Sequence, residues 1–164
     1  MTSALKNLSD YNTQTIPSAA GIRFAIVVSE WNTEITEALY SGAKETLLKF
    51  GASEHDIVRR DVPGSFELTL GAQLMAERKG FDAIICLGVV IQGETKHFDF
   101  ICEAVGQGIT NLNIKYNLPV IFGILTPNTM QQALDRAGGV HGNKGDEAAI
   151  TAIKMAALKK ELES

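Results

Sequence analysis

The stretch Ala83-Ile-Ile-Cys-Leu-Gly-Val-Val-Ile91 carries no polar side chain. It is too short to cross a bilayer as a helix, which takes roughly 18 or more apolar residues. It is also too uniformly apolar for a strand with one wet face. Such a strand is covered on both sides, and strands covered on both sides belong to parallel sheets flanked by helices. Phe24-Ala-Ile-Val-Val-Ser29 and Pro119-Val-Ile-Phe-Gly-Ile-Leu125 repeat the pattern, and Asp56-Ile-Val-Arg-Arg-Asp-Val62 reads as a more polar strand between them. The intervening segments have helical spacing. Ile35, Ala38, Leu39, Ala43, Leu47 and Phe50 mark a helix over 33–50 that Gly51 stops, and Leu68, Leu70, Leu74 and Met75 mark one ended near Gly80. Phe98, Ile101, Cys102, Val105, Ile109, Leu112 and Tyr116 line one face of a long helix; 128–137 and the Ala-rich 146–163 complete the set. The alternation predicts a doubly wound α/β fold: a three-layer αβα sandwich on a four-stranded parallel sheet, with right-handed crossovers.

Residues 1–21, punctuated by Pro17, Ser18 and Gly21, read as an N-terminal arm, and 22–164 as a single α/β domain. Two fates are open to the arm: disorder, or order gained by pairing, such as a strand added to a neighbouring subunit. Fifteen basic against 19 acidic residues give a net charge of −4, which speaks against a nucleic-acid coat. No apolar signal or membrane segment is evident, so a soluble, cytoplasmic chain is expected. Cys86 and Cys102 both sit in apolar runs and read as buried small hydrophobes. No Cys/His cluster has zinc spacing. The stretch 138–145 fails the P-loop pattern, and Gly106-Gln-Gly108 lies inside a helix and not after a strand.

In open parallel sheets, ligands bind beyond the carboxyl ends of the strands. Trp31-Asn32 follows the first strand, and the indole can stack on a flat heterocycle or simply pack beside a helix cap. Pro63-Gly64-Ser65-Phe66-Glu67 follows the second, offering backbone N–H groups and a carboxylate, or a helix capped by Ser65. Gln92-Gly93-Glu94-Thr95-Lys96-His97 follows the third and is the most informative stretch. Its glycine admits a close ligand, its helix start suits an anion, and His97 is placed to exchange a proton. Arg136-Ala-Gly-Gly-Val-His-Gly-Asn-Lys-Gly145 is either a cationic clamp for phosphate or carboxylate, or a capped helix end followed by a linker.

Taken together, Trp31-Asn32, Pro63 to Glu67, Gly88-Val-Val-Ile-Gln-Gly-Glu-Thr-Lys-His-Phe-Asp99, and Arg136-Ala-Gly with Gly142-Asn-Lys-Gly145 resemble the lumazine synthases, in order and spacing, from about residue 22 to the C-terminus. The resemblance implies a flavodoxin-like fold and a cofactor-independent, metal-free transferase of riboflavin biosynthesis. Its substrates would be 5-amino-6-(D-ribitylamino)uracil and L-3,4-dihydroxy-2-butanone 4-phosphate. It implies that Trp31 stacks on the pyrimidine with Asn32 beside it, and that Ser65, Phe66 and Glu67 hold the ribityl side. Val90 and Ile91 would line the ring pocket and Phe122 would pack at the site from the fourth strand; Gly93, Glu94, Thr95 and Arg136 would meet the phosphate. His97 would shuttle protons, and Lys144 would lie near the site with Glu147, a candidate to orient His97. Trp31 stands where many members have Phe, Gln92 where Arg is frequent, and Lys96 where Thr is common.

Family members form homopentamers with sites between subunits, some stacked into a sixty-subunit icosahedral shell, and riboflavin synthase is a candidate partner. The short loop from Arg136 to Lys144 is similar to shell formers; Trp31 is similar to riboflavin-binding pentamers. Shared sites would bring Arg136 and His97 of one chain to Trp31 and Ser65 of another. The competing reading is a catalytically weak copy that binds flavin or lumazine, or forms a storage shell.

Overall fold

The computed structural model describes residues 6–164, so the arm's first five residues lie outside the described part. Four strands form one parallel sheet in the order β2-β1-β3-β4: β1 (Phe24–Ser29), β2 (Ile57–Val62), β3 (Ala83–Val89) and β4 (Val120–Leu125). Phe24 registers with both Ile57 and Ala83, and Cys86 registers with Phe122. Every residue of β1 and β3 is buried, as their unbroken apolar runs require. The more polar β2 is an edge.

Helices cover both faces. On one, α1 (Thr33–Lys49) and α5 (Lys144–Glu163) pack on Phe24, Ile26, Val28, Ile85 and Leu87. On the other, α2 (Leu68–Glu77) and α3 (His97–Tyr116) pack on Ala25, Val27, Ile84 and Cys86. Burial pushes the Cys86 thiol up to about 12, so it behaves as a small hydrophobe. Cys102 is only partly buried. The edge strand β4 gains a polar brace from α3: Asn113 Oδ1 accepts from the Val120 N–H at 2.8 Å, and Asn113 Nδ2 donates to the Val120 carbonyl at 2.9 Å.

Two segments differ from the sequence reading. The helix expected over 128–137 is the short α4 (Met130–Asp135), and α5 starts at Lys144, not 146. Between them β5 (Ala137–Gly139) and β6 (Gly142–Asn143) form a small antiparallel hairpin in place of a linker. Residues 6–21 of the arm contain no strand; they pack on their own chain, with Ala19 fully buried and its N–H donating to the Phe50 carbonyl at 2.8 Å.

The tightest contact joins α1 to α5. A Cβ at Gly145 would lie 2.0 Å from the Leu39 carbonyl oxygen, and one at Gly42 would lie 2.6 Å from Asn143 and Asp146 side-chain atoms. Ala148, Ala149, Ala152 and Ala156 continue the seam as small buried residues. Gly145→Ala would force backbone against side chain in a close-packed layer. It should cost about 1–3 kcal/mol or more, measured as a lower denaturant midpoint at unchanged m-value.

Candidate functional site

Beyond the carboxyl ends of β1, β2 and β3 lies an open cleft of about 550 Å³, lined by Trp31, Asn32, Gly64 to Glu67, Val89 to Ile91, His97 and Ile101. Strand pairing continues past the strands to build it. The Glu30 N–H donates to the Val62 carbonyl at 2.8 Å and the Trp31 N–H to the Pro63 carbonyl at 3.1 Å. The backbone of Trp31 is thereby fixed beside the Pro63-Gly64 turn. On the far side the Val90 N–H donates to the Leu125 carbonyl at 2.8 Å, and the Gln92 N–H to the Pro127 carbonyl at 3.0 Å. The apolar run to Ile91 thus keeps its neighbour although regular strand ends at Val89.

Asn32 sits in the left-handed region at φ 61°, and its side chain makes no cap to α1. Its backbone carbonyl accepts from the Ile35 and Thr36 N–H groups instead, and its side chain lines the cleft. Ser65 does not cap α2. It is buried, and its Oγ donates to the Val89 carbonyl at 3.1 Å, tying the β2 exit to the β3 exit. Gly88 makes room for this, since a Cβ there would lie 2.7 Å from Ser65 Oγ and 3.1 Å from Ser29 Oγ. The Ser29 hydroxyl is fully buried and has no hydrogen-bond partner among the described residues. Trp31 is 73% exposed and Phe66 57%, so two large aromatic faces stand open at the rim. His97 is the first residue of α3; it is exposed, and its N–H donates to Thr95 Oγ1 at 3.3 Å.

The cleft therefore gathers Trp31, Asn32, Ser65, Phe66, Glu67, Val90, Ile91 and His97 from one chain. His97 joins Trp31 and Ser65 directly, contrary to the expectation that it would face them from a second subunit. Gly93, Glu94 and Thr95 form the exposed loop between Ile91 and His97, outside the lining. Phe122, Arg136 and Lys144 are not brought to this cleft. Phe122 is the one exposed residue of β4, on the sheet's free edge. Arg136 follows α4, where its guanidinium donates to the Gln132 carbonyl at 3.0 Å. Lys144 is 6% exposed and its ammonium donates to Glu147 Oε1 at 2.6 Å, so Glu147 pairs with Lys144 and not with His97. Val89 and Ile101, which the sequence marks only as strand and helix core, also line the cleft. Ile101 lies one helical turn after His97, which is the signal that places it beside the ring.

No lysine or arginine among the described residues lines the cleft. Among the described residues, no group of three or more His, Cys, Asp or Glu is arranged to hold a metal ion, and no helix is long and apolar enough to cross a membrane.

Residues 21–160 match the family described as 6,7-dimethyl-8-ribityllumazine synthase. The chain is 64% identical over 157 residues to a 6,7-dimethyl-8-ribityllumazine synthase of Cytophaga hutchinsonii, covering 96% of this chain and 98% of that one. It is 58% identical over 156 residues to the protein of the same name from Flavobacterium johnsoniae, covering 95% and 82%. A third such protein, from Parabacteroides distasonis, is 56% identical over 155 residues, covering 94% and 97%.

The two buried serines under the cleft should respond in opposite ways. Ser29→Ala removes a hydroxyl that has no partner and should leave stability unchanged or slightly raised. Ser65→Ala removes the tie to Val89 and should cost about 1 kcal/mol. Thermal denaturation of the two variants checks the contrast.

Proposed function

Since the chain belongs to the 6,7-dimethyl-8-ribityllumazine synthase family, we propose that its cleft is the pyrimidine half of a site completed by a second subunit. The protein is a transferase of riboflavin biosynthesis. It condenses 5-amino-6-(D-ribitylamino)uracil with L-3,4-dihydroxy-2-butanone 4-phosphate to give 6,7-dimethyl-8-ribityllumazine, phosphate and water. The 5-amino group attacks the ketone and loses water to form an imine. Phosphate then leaves, and the ribitylamino nitrogen closes the ring with loss of a second water. The substrate brings its own nucleophile, so the protein's task is to align two molecules and move protons. Alignment alone can be worth roughly 7–11 kcal/mol.

In our reading Trp31 stacks on the pyrimidine, Asn32 offers its side-chain amide, and Val90 and Ile91 close the apolar side. Phe66 and Glu67 hold the ribityl chain. Ser65, its hydroxyl committed to Val89, contributes through its backbone. His97 takes and returns protons at the reacting nitrogen and carbonyl. Gly93, Glu94 and Thr95 meet the phosphate as it arrives and leaves.

The observation that carries the shared site is a mismatch: the substrate is a phosphate ester, yet the cleft has no Lys or Arg in its lining. Exposed Trp31 and Phe66 likewise await a cover. Arg136 of a neighbouring subunit supplies the forked cation, with Phe122 covering the ring and Lys144 nearby. The assembly is accordingly a ring, the family's homopentamer, or its shell of pentamers. The domain division is an arm at 1–21 and a single domain at 22–164, in the cytoplasm. Nothing in the comparisons favours a catalytically weak storage copy.

Purified protein mixed with both substrates should form lumazine, read by absorbance, well above an uncatalysed blank; a rate equal to the blank would overturn the reading. His97→Ala should lower kcat by about a hundredfold or more with little change in pyrimidine affinity. Arg136→Ala should raise KM for the butanone phosphate at least about tenfold. Co-assembling the two impaired variants, assayed below the raised KM, should recover activity above either alone, because some clefts then pair an intact His97 with a neighbour's intact Arg136. Absence of recovery in mixed assemblies would place both residues in one chain's site.

A further inference from the structure

The hairpin β5–β6, which leads directly out of Arg136, specifies itself weakly. It is short, its register is irregular, and Gly138 and Gly142 hold φ of 103° and 80°. Part of its hold on the body comes from Asn143, whose Nδ2 donates to the Ala38 carbonyl at 3.0 Å and whose Oδ1 accepts from the Gly145 N–H at 2.7 Å. The His141 N–H adds a bond to the Asp135 carbonyl at 2.8 Å, and the arm adds more. The Leu8 N–H donates to the His141 carbonyl at 2.7 Å, and the Leu8 side chain is buried. Ser9 Oγ accepts from the Asn143 N–H at 2.9 Å and donates to Asp146 Oδ2 at 2.6 Å. One hydroxyl thus joins the arm, the end of the hairpin and the first turn of α5.

The fit leaves no slack. A Cβ at Gly142 would lie 2.2 Å from Asn7 Oδ1 and 2.7 Å from the Ser9 nitrogen. Partial burial raises the Asp146 carboxyl above its ordinary range, while hydrogen bonds from Ser9 and Thr46 act against that shift. At the hairpin's open end the Lys144 N–H donates to the Arg136 carbonyl at 2.9 Å. The Arg136 backbone is therefore one hairpin away from the Ser9 bridge.

We propose that Ser9 is a positioning residue for the condensation: by bridging Asn143 and Asp146 it holds the hairpin that presents Arg136, and so sets affinity for the phosphate-bearing substrate. The inference rests on the reading of Arg136 as the phosphate ligand. Ser9→Ala should raise KM for the butanone phosphate about three- to tenfold, the range of one or two hydrogen bonds. kcat and KM for the pyrimidine should stay near wild type, a split that general destabilisation does not produce. Asp146→Ala should reproduce the effect, whereas Asp146→Asn, which keeps an acceptor for the Ser9 hydroxyl, should not; this pair also decides the matter if Ser9→Ala does not fold. Arg136→Ala is measured alongside. If it raises KM for the phosphate substrate and the Ser9 and Asp146 variants do not, the positioning role is wrong and the Arg136 reading survives. If Arg136→Ala itself leaves that KM unchanged, the phosphate reading fails and the proposal fails with it.

Discussion

Everything in this fold follows from two adjacent parallel strands, β1 and β3, buried on both faces. A strand with no wet face must be covered twice, so the helical connections are divided between the two sides of the sheet, α1 and α5 on one and α2 and α3 on the other. The chain leaves β1 toward β2 by way of α1 on one side. It returns across to β3 by way of α2 on the other. The strand order reverses between β1 and β3, and there the connecting segments diverge and leave a crevice. The cleft with Trp31, Ser65 and His97 occupies that crevice. Its position is a consequence of topology, and its rigidity comes from ladder bonds that continue past the strands, such as Trp31 to Pro63 and Val90 to Leu125.

The opposite face of the sheet is built for closeness. Gly42 and Gly145 bring α1 and α5 to a distance that no Cβ would allow, and the alanines of α5 extend that contact. The same junction anchors Asn143, the hairpin and the arm. Lys144 starts α5 at this contact and Arg136 precedes it across the hairpin, while Trp31, Phe66 and Glu67 sit at the sheet's crevice. In our reading the phosphate-binding charge is separate from the ring pocket, and a second copy brings the two halves together. The exposed Trp31, Phe66 and Phe122 mark the surfaces on which that would happen.

The chemistry asks little of the protein beyond this arrangement. The reacting amine belongs to one substrate and the leaving phosphate to the other. Holding them in register can supply a large part of the acceleration. In our reading the exposed imidazole of His97 at the start of α3, whose backbone N–H donates to Thr95 Oγ1, is the proton carrier of such a scheme.

Much of this was legible in the residues themselves. Ala83 to Ile91 announces a doubly covered strand, and Phe98 to Tyr116 a helix packed on one side, because the polarity of a side chain decides whether its face is wet or dry. The strand exits were legible for the same reason, and with them Trp31, the Pro63 to Glu67 turn and His97. What depends on a distant partner was not. Ser65 looks like a cap until the fold brings the Val89 carbonyl within reach of its hydroxyl. Arg136 to Lys144 looks like a linker until Ala38 and Ser9 supply partners for Asn143 and turn it into a hairpin. Lys144 looks like an open cation until burial beside Glu147 commits it. The sequence by itself determined the layers, the strands and the crevice, since those follow from local polarity and period. Only the tertiary structure decided which polar groups are spent on holding the molecule and which are left for a ligand, since each hydrogen bond needs a partner far away in the chain.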